Sequence, residues 1–177
     1  MNLILLPGND KKNKVWVDAV ETELSSYFER TAIHYYDHWW SSEDGEIDLE
    51  IELDKLAATV EQFEKYVVLA KSAGVLLALY GIYEGVLDPE VCIFVGSAIP
   101  WGYERGFDLN NWLINYSIPT LFIQKTLDPA LSFADLNTVI IDKNISGYLL
   151  KEIPGNDHFY EDIAQLKELV EGFVDLG

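Results

Sequence analysis

Short apolar runs alternate with segments of helical spacing along the whole chain. Six of these runs are bounded by turn residues, as is typical of buried strands. They are Asn2–Leu6, Thr31–Tyr36, Tyr66–Leu69, Val91–Val95, Pro119–Ile123 and Gly147–Ile153. Apolar residues at helical spacing predict helices in the segments between and after the strands, namely Asn13–Arg30, Leu49–Phe63, Val75–Tyr80, Leu109–Asn115, Leu131–Leu136 and Phe159–Phe173.

The predicted strands lack the alternation of apolar and polar residues that half-exposed sheets show. Because strands and helices also alternate from end to end, we predict an α/β fold of three layers, with helices on both faces of a mostly parallel sheet. A length of 177 residues favours one domain over residues 1–177. The longest connection, Gly96–Ser117, is too short to form a separate cap domain.

The composition narrows the range of partners and compartments. A formal net charge of −18 argues against nucleic acid and anionic membranes as partners. No apolar run approaches the roughly 18 residues of a membrane span, and the run Leu3–Leu6 is too short for a signal peptide. The single cysteine, Cys92, falls in a predicted buried strand, which suits a reducing compartment. We therefore expect a cytoplasmic protein.

The segment from Tyr66 to Tyr80 has the pattern of a strand, a tight turn with a central serine, and a buried helix. This is the context of a nucleophile elbow, in which a strained turn holds the serine hydroxyl clear of the backbone. Strand and helix nearly touch there, so the residues two before and two after the serine must be small. Ala70 and Gly74 occupy those positions around Ser72. A turn serine that caps a helix is the alternative interpretation.

A nucleophilic serine needs a base, and the base needs an acid that fixes its tautomer. In a parallel sheet the ligand site lies at the carboxyl ends of the strands. Among the three histidines, only His158 lies both in a predicted loop at that edge and after the serine. Asp128 follows another predicted strand and is the preferred candidate for the acid. Asp157 and Asp142 are weaker candidates. The order Ser72, Asp128, His158 is that of the α/β-hydrolases.

The chain resembles small, lidless serine hydrolases of the α/β-hydrolase superfamily, in particular those of the retinoblastoma-binding protein 9 type. The resemblance covers nearly the whole chain. It rests on the turn Pro7-Gly8-Asn9, a helix with Trp16-Val17, the elbow, Asp128 after an Ile-Pro-Thr-Leu-Phe-Ile strand, and a Gly-x-x-His-Phe loop ending at Phe159. The chain departs from the pattern at Ala70, where glycine is usual, and at Lys71, where histidine is frequent.

By this resemblance, Ser72 attacks a carbonyl, His158 transfers the proton and Asp128 orients the imidazole. The backbone N–H groups of Asn9 and Ala73 form the oxyanion hole. The resemblance thus implies a serine hydrolase that cleaves a small ester, thioester or activated amide through an acyl-serine intermediate, without a cofactor or a metal. Two alternatives stay open: an acyltransferase that uses the same triad, and a protein-binding module with little or no turnover.

Aromatic residues near the carboxyl edge bear on the substrate. Trp39 and Trp101 are the two that we expect to line an apolar acyl pocket. Tryptophans in the core, or a deep tunnel that also includes Trp40 and Trp112, are the alternatives. Lys71 is expected to be solvated and to point away from the serine.

Other binding chemistry has weaker support in the sequence. His34 and His38 flank a strand end, which does not favour a metal site, and no glycine-rich nucleotide-binding motif is present. We expect a small-molecule acyl substrate that is short and uncharged or cationic, because the acidic surface disfavours anions. A protein partner or a homodimer remains open.

Overall fold

Six parallel strands form one sheet in the residues that the computed structural model describes, which are 1–40 and 45–175. In chain order the strands are β1 (Asn2–Leu6), β2 (Thr31–Ile33), β3 (Tyr66–Lys71), β4 (Val91–Val95), β5 (Thr120–Lys125) and β6 (Tyr148–Ile153). Their order across the sheet is β2-β1-β3-β4-β5-β6, and every neighbouring pair is parallel.

Helices cover both faces of this sheet. They are α1 (Asn13–Leu24), α2 (Leu49–Val60), α3 (Ala73–Tyr83), α4 (Ile99–Glu104), α5 (Leu109–Leu113), α6 (Phe133–Asp142) and α7 (Ile163–Val174), and a 3₁₀ helix spans Asp37–Trp40. Helices α1 and α7 pack on one face, and α2 to α6 pack on the other. The predicted three-layer α/β fold with a parallel sheet is confirmed.

The sheet is buried on both faces because successive side chains of a strand point to opposite sides. In β1, Leu3 and Leu5 pack with the α1 and α7 layer, whereas Ile4 and Leu6 pack with the opposite layer. Every residue of β3 and β4 is buried. Burial on both faces explains why the sequences of the strands are continuous apolar runs. Among the described strands, the edge strand β6 is the largely exposed one.

The strand order reverses between β1 and β3, since β2 lies on one side of β1 and the later strands lie on the other. Loops that leave the carboxyl ends of such strands diverge and open a crevice at the edge of the sheet. The connection from β4 to β5 contains only the short helices α4 and α5. No cap domain is therefore present in the part of the chain that the structure describes.

Several predicted element boundaries are wrong. Helix α1 ends at Leu24 rather than Arg30, and β2 ends at Ile33 rather than Tyr36. The prediction of a helix over Leu131–Leu136 places it too early. Helix α6 begins after Ser132, whose side chain accepts a hydrogen bond from the Asp135 N–H and caps the helix.

Helix α7 begins at Ile163 rather than Phe159, because Asp162 caps it by accepting a hydrogen bond from the Gln165 N–H. Helix α4 was not predicted. None of the described helices combines the length and the apolar character that a membrane crossing needs.

Candidate active site

The turn between β3 and α3 holds Ser72 in a strained backbone conformation. Its φ is 55° and its ψ is −117°, values that residues other than glycine rarely adopt. Gly74 is required two residues later, because a Cβ there would lie 2.6 Å from the Pro7 carbonyl oxygen and closer still to that of Leu6. Ala70 is fully buried on the same side. The residues around Ser72 therefore have the geometry of an elbow.

Ser72, His158 and Asp128 form one hydrogen-bonded chain. The Ser72 Oγ lies 2.9 Å from His158 Nε2. The other ring nitrogen, Nδ1, lies 2.9 Å from each carboxylate oxygen of Asp128. With the Nδ1 proton donated to the carboxylate, Nε2 is left as the acceptor for the serine hydroxyl. The three residues that the sequence singles out are brought together from the loops after β3, β5 and β6.

Asp128 is buried, yet it is kept ionised by its donors. The Ala130 N–H donates to Oδ1 at 2.8 Å, and the Tyr160 hydroxyl donates to Oδ2 at 2.7 Å. Burial alone would raise the pKa of Asp128, but the hydrogen bonds from His158 and Tyr160 outweigh it and lower the pKa below its ordinary value. The carboxylate is thus held ready to orient and stabilise a protonated imidazole.

The two rival acids have other partners. Asp157 pairs with the Lys125 ammonium at 2.6 Å and accepts the Phe159 N–H. Asp142 lies exposed at the end of α6. Of the three candidates, Asp128 is the one that contacts the imidazole.

Tyr160 supports the Asp128 carboxylate, and sequence reasoning missed it. Its φ is 54°, and its backbone oxygen accepts the Trp16 Nε1–H at 2.8 Å. Its hydroxyl accepts the Lys125 N–H at 2.9 Å while it donates to Asp128. Gly96 gives this ring its space, since a Cβ there would lie 2.6 Å from Tyr160 Cε2. The signal available in the sequence was the position of Tyr160, directly after the Gly-x-x-His-Phe loop that contains His158.

Asn9 is fixed by three hydrogen bonds. Its carbonyl oxygen accepts the Trp39 Nε1–H at 2.7 Å and a ring N–H of His38 at 2.8 Å. Its side-chain oxygen accepts the Ile47 N–H at 2.7 Å. Among the described residues, the Asn9 N–H donates to no backbone oxygen. Ala73 is the first residue of α3, so its N–H has no partner within the helix.

An open cleft of about 350 Å³ lies beside Ser72. It is lined by Asn9, Ser72, Ala73, Ala98, Pro100, Trp101, Glu104, Pro129, Ala130 and His158. Trp101 lies in the wall of this cleft, with the Arg105 guanidinium 3.6 Å from its ring centre. Trp39 does not, because it is only 2% exposed and its indole contacts Asn9 from within the core. The prediction that Trp39 lines the pocket is wrong.

Lys71 is buried, so the prediction of a solvated side chain is wrong. Its side chain lies on the α1 side of the sheet, where Nζ donates to Asn13 Oδ1 at 2.8 Å and lies 5.4 Å from the Trp16 ring centre. Burial lowers the pKa of Lys71 to about 8.

His34 and His38 have separate partners. His34 Nε2 lies 2.9 Å from Glu52 Oε2 in a buried pair, and His38 contacts the Asn9 carbonyl. Within residues 1–40 and 45–175, no three histidine, cysteine or acidic side chains are grouped as a metal would require.

Several solved structures with a similar architecture are named as hydrolases or esterases. No family model matches the chain, and no curated protein matches it significantly. The chain is similar to a serine hydrolase involved in carbazole degradation, at 14% identity and a TM-score of 0.77, covering 100% of this chain and 92% of that one. An esterase from Pyrococcus furiosus is similar at 14% identity and a TM-score of 0.77, with 98% and 81% covered. This chain has a minimal α/β-hydrolase fold.

A third similar structure is an uncharacterized protein from Bacillus cereus, at 21% identity and a TM-score of 0.74. The match covers 98% of this chain but only 60% of that protein. In this α/β-hydrolase fold, the elbow with Ser72 follows β3, and the loops after β5 and β6 contain Asp128 and His158.

Proposed function

We propose that the chain is a serine hydrolase that cleaves a small ester, thioester or activated amide through an acyl-serine intermediate. The observation that carries this proposal is the hydrogen-bonded chain from Ser72 through His158 to Asp128 at the carboxyl edge of an α/β-hydrolase fold. The strained turn at Ser72 supports it, because strain at a buried turn is often retained where a side chain must be presented.

In the proposed mechanism, Ser72 Oγ attacks the substrate carbonyl while His158 Nε2 takes its proton. The negative charge on the carbonyl oxygen is stabilised by the N–H groups of Asn9 and Ala73. The start of α3 contributes its free N–H groups and its dipole there. His158 then donates the proton to the leaving group, and the acyl group stays on Ser72.

Water completes the cycle. His158 takes a proton from the water as it attacks the acyl-serine, and returns that proton to Ser72 Oγ when the acid leaves. Every atom and proton is then accounted for by substrate, water and these side chains, so the mechanism uses no cofactor. We place the reaction in the cytoplasm with a small-molecule acyl substrate. Within the superfamily, the turn Pro7-Gly8-Asn9 and the loop around His158 support the retinoblastoma-binding protein 9 type.

Covalent labelling tests the proposal. A fluorophosphonate probe should modify the native protein on Ser72, as identified by mass mapping of the labelled peptide. Ser72→Ala should lose the label and keep the fold, because one small residue replaces another. Ser146→Ala, on the exposed turn before β6, is the matched control and should be labelled like the native protein. Label that persists in Ser72→Ala contradicts the assignment of the nucleophile.

The same experiment bears on the alternatives. A native protein that the probe does not label would contradict hydrolysis and favour the protein-binding module. A protein that is labelled, but that releases product only when an alcohol or amine acceptor is added, would be an acyltransferase.

A further inference from the structure

A second groove lies on the other side of His158 from the Ser72 cleft. It has a volume of about 630 Å³ and runs between α1 and the loop after β6. Its walls include the apolar side chains of Trp16, Phe159 and Ile163, and Lys71 forms part of its floor. Phe159 is 64% exposed, so its ring presents apolar surface at the wall of the groove.

Lys71 places a buried positive charge at the floor of this groove. The residue is only 3% exposed. Asn13 Oδ1 accepts a hydrogen bond from Nζ, which also lies 5.4 Å from the centre of the Trp16 ring. No carboxylate of the described residues lies within ion-pair distance of Lys71. Burial is unfavourable for the ammonium and lowers the pKa of Lys71 to about 8, although the more distant carboxylates of Asp128 and Asp10 oppose this shift.

The lining of the groove carries two lysines, Lys12 and Lys71, and two acidic residues, Asp10 and Glu161. Asp10 is engaged by its own turn, since its Oδ1 accepts the Lys12 N–H at 2.8 Å. Because no carboxylate of the described residues is in ion-pair contact with Lys71, its ammonium is the group of this lining with which a compact anion would pair.

The location of His158 indicates which part of a substrate this groove would bind. His158 borders both the groove and the Ser72 cleft, whereas Ser72, Asn9 and Ala73 line only the cleft. In acyl transfer to a serine, the imidazole donates its proton to the leaving group. An acyl group in the cleft thus puts the leaving group on the imidazole side, towards the groove.

We propose that the groove binds the leaving group of the substrate, and that this leaving group is an aromatic hydroxy acid whose carboxylate pairs with Lys71 Nζ. The proposal rests on the proposed hydrolase function. The substrate is then an acyl ester of such an acid. The ester C–O bond breaks, the leaving oxygen takes the proton from His158 Nε2, and the hydroxy acid departs. This local charge revises, for the leaving group alone, the expectation of an uncharged or cationic substrate.

A binding experiment tests the groove without turnover. We would titrate 4-hydroxybenzoate and its uncharged analogue 4-hydroxybenzamide into the native protein by calorimetry. The carboxylate should bind at least about tenfold more tightly, as a charge-assisted hydrogen bond provides. Lys71→Met should remove this difference. Lys65→Met is the matched control, because Lys65 is exposed and lies at the opposite end of β3, and it should retain the preference.

Lys71→Gln serves as the second variant, because it removes the charge, keeps a donor for Asn13 and guards against misfolding of Lys71→Met. Equal affinity of the two ligands for the native protein overturns the proposal. A carboxylate preference that survives in both folded Lys71 variants also overturns it.

Kinetics then separate this proposal from the proposed function. The ratio of kcat/KM for 4-acetoxybenzoate to that for 4-acetoxybenzamide should fall about tenfold or more in Lys71→Met and stay unchanged in Lys65→Met. Intrinsic reactivity of the two esters cancels when the ratio is compared between variants. Carboxylate binding that needs Lys71, in a protein that the fluorophosphonate probe does not label, would contradict the hydrolase and retain the anion site, whereas a labelled protein that hydrolyses neither ester would overturn the leaving-group proposal. If both esters are hydrolysed but their ratio of kcat/KM does not depend on Lys71, the hydrolase is retained and the leaving-group site is overturned.

Discussion

Tyr160 determines how firmly the Asp128 carboxylate is held. Its hydroxyl donates to the Oδ2 that also faces His158 Nδ1. In Tyr160→Phe the buried carboxylate loses one donor that favours its charged form, so the pKa of Asp128 rises. We expect kcat to fall by about tenfold with little change in KM, since a hydrogen bond to a charged group contributes about 1.5–3 kcal/mol and only part acts on the transition state.

The pH profile distinguishes positioning from a general loss of structure. Because the Asp128–His158 pair binds a proton more readily after the change, the acidic limb of the kcat profile should move to higher pH in Tyr160→Phe. Tyr148→Phe, on the edge strand β6, is the control and should leave both kcat and the profile unchanged. A lower kcat with an unmoved acidic limb would argue that Tyr160 acts only through packing.

The identity of the triad acid can be tested by replacing each candidate aspartate with asparagine. Asp128→Asn should reduce kcat by up to about four orders of magnitude, because the amide cannot hold the imidazole in the required tautomer. Asp157→Asn should keep most of the activity, since Asp157 pairs with Lys125 instead of the imidazole. Turnover that depends on Ser72 and Asp157 but tolerates Asp128→Asn would transfer the role to Asp157.

The sequence was informative for residues whose role follows from their place between elements. Ser72, Asp128 and His158 each follow a predicted strand, and the carboxyl-end rule gathers such residues. The predictions that Trp39 lines the pocket and that Lys71 is solvated were wrong, because the surroundings of both side chains come from distant segments. Asn9 accepts the Trp39 indole N–H across 30 residues, and Asn13 accepts the Lys71 ammonium across 58 residues. Local pattern contains no signal for such contacts.

At the scale of elements, the contact between β1 and α3 depends on one glycine. A Cβ at Gly74 would meet the backbone oxygens of Leu6 and Pro7, and backbone cannot move aside as a flexible side chain can. Gly74→Ala should therefore destabilise the fold by about 1–3 kcal/mol or more, although alanine is the better helix former. Urea denaturation followed by circular dichroism measures the change.

Gly172→Ala is the matched control for this prediction. It lies in the last turn of α7, and a Cβ there meets nothing within 4 Å. The same substitution should be neutral or stabilise by up to about 1 kcal/mol, as helix propensity alone predicts. If both variants gain stability equally, the close approach of α3 to β1 does not exist in solution.

Elements differ in how far their sequences determine them. Strands β1 and β4 were predicted with their bounds, because burial on both faces leaves apolar runs that end abruptly. Helix α4 was missed because it has only six residues, with Pro100 at its start and Gly102 inside it. Gly102 is required by packing, since a Cβ there would lie 2.8 Å from Leu109 Cδ1 of α5. Tertiary contacts, and not local propensity, form this helix.

At the scale of the whole molecule, the fold separates two surfaces around His158. One is the cleft of about 350 Å³ beside Ser72, and the other is the groove beside Lys71. The overall charge of −18 acts at long range and is screened by salt, whereas Lys71 acts at contact distance where screening is weak. A neutral ester should therefore react at a rate that salt changes little.

The shape of the cleft bears on the length of the acyl group that the proposed hydrolase would accept. The cleft beside Ser72 is open, and Trp101 is the tryptophan at its wall. Trp39 lies in the core, and Trp112 stacks on Phe107 and packs near Tyr80. These side chains do not extend the cleft into a tunnel, and the described chain has no cap domain to close over a long acyl chain.

We therefore expect p-nitrophenyl acetate or butyrate to give a higher kcat/KM than p-nitrophenyl palmitate. Each methylene that finds an apolar wall adds up to about 0.8 kcal/mol of binding, so kcat/KM should rise only while the chain remains inside the cleft. The measurement is a chain-length series with one leaving group, assayed below the concentration at which the longer esters form micelles. Ser72→Ala gives the background rate for each ester. A Ser72-dependent kcat/KM that continues to rise to the longest chains would require a deep apolar site, and would contradict the open cleft.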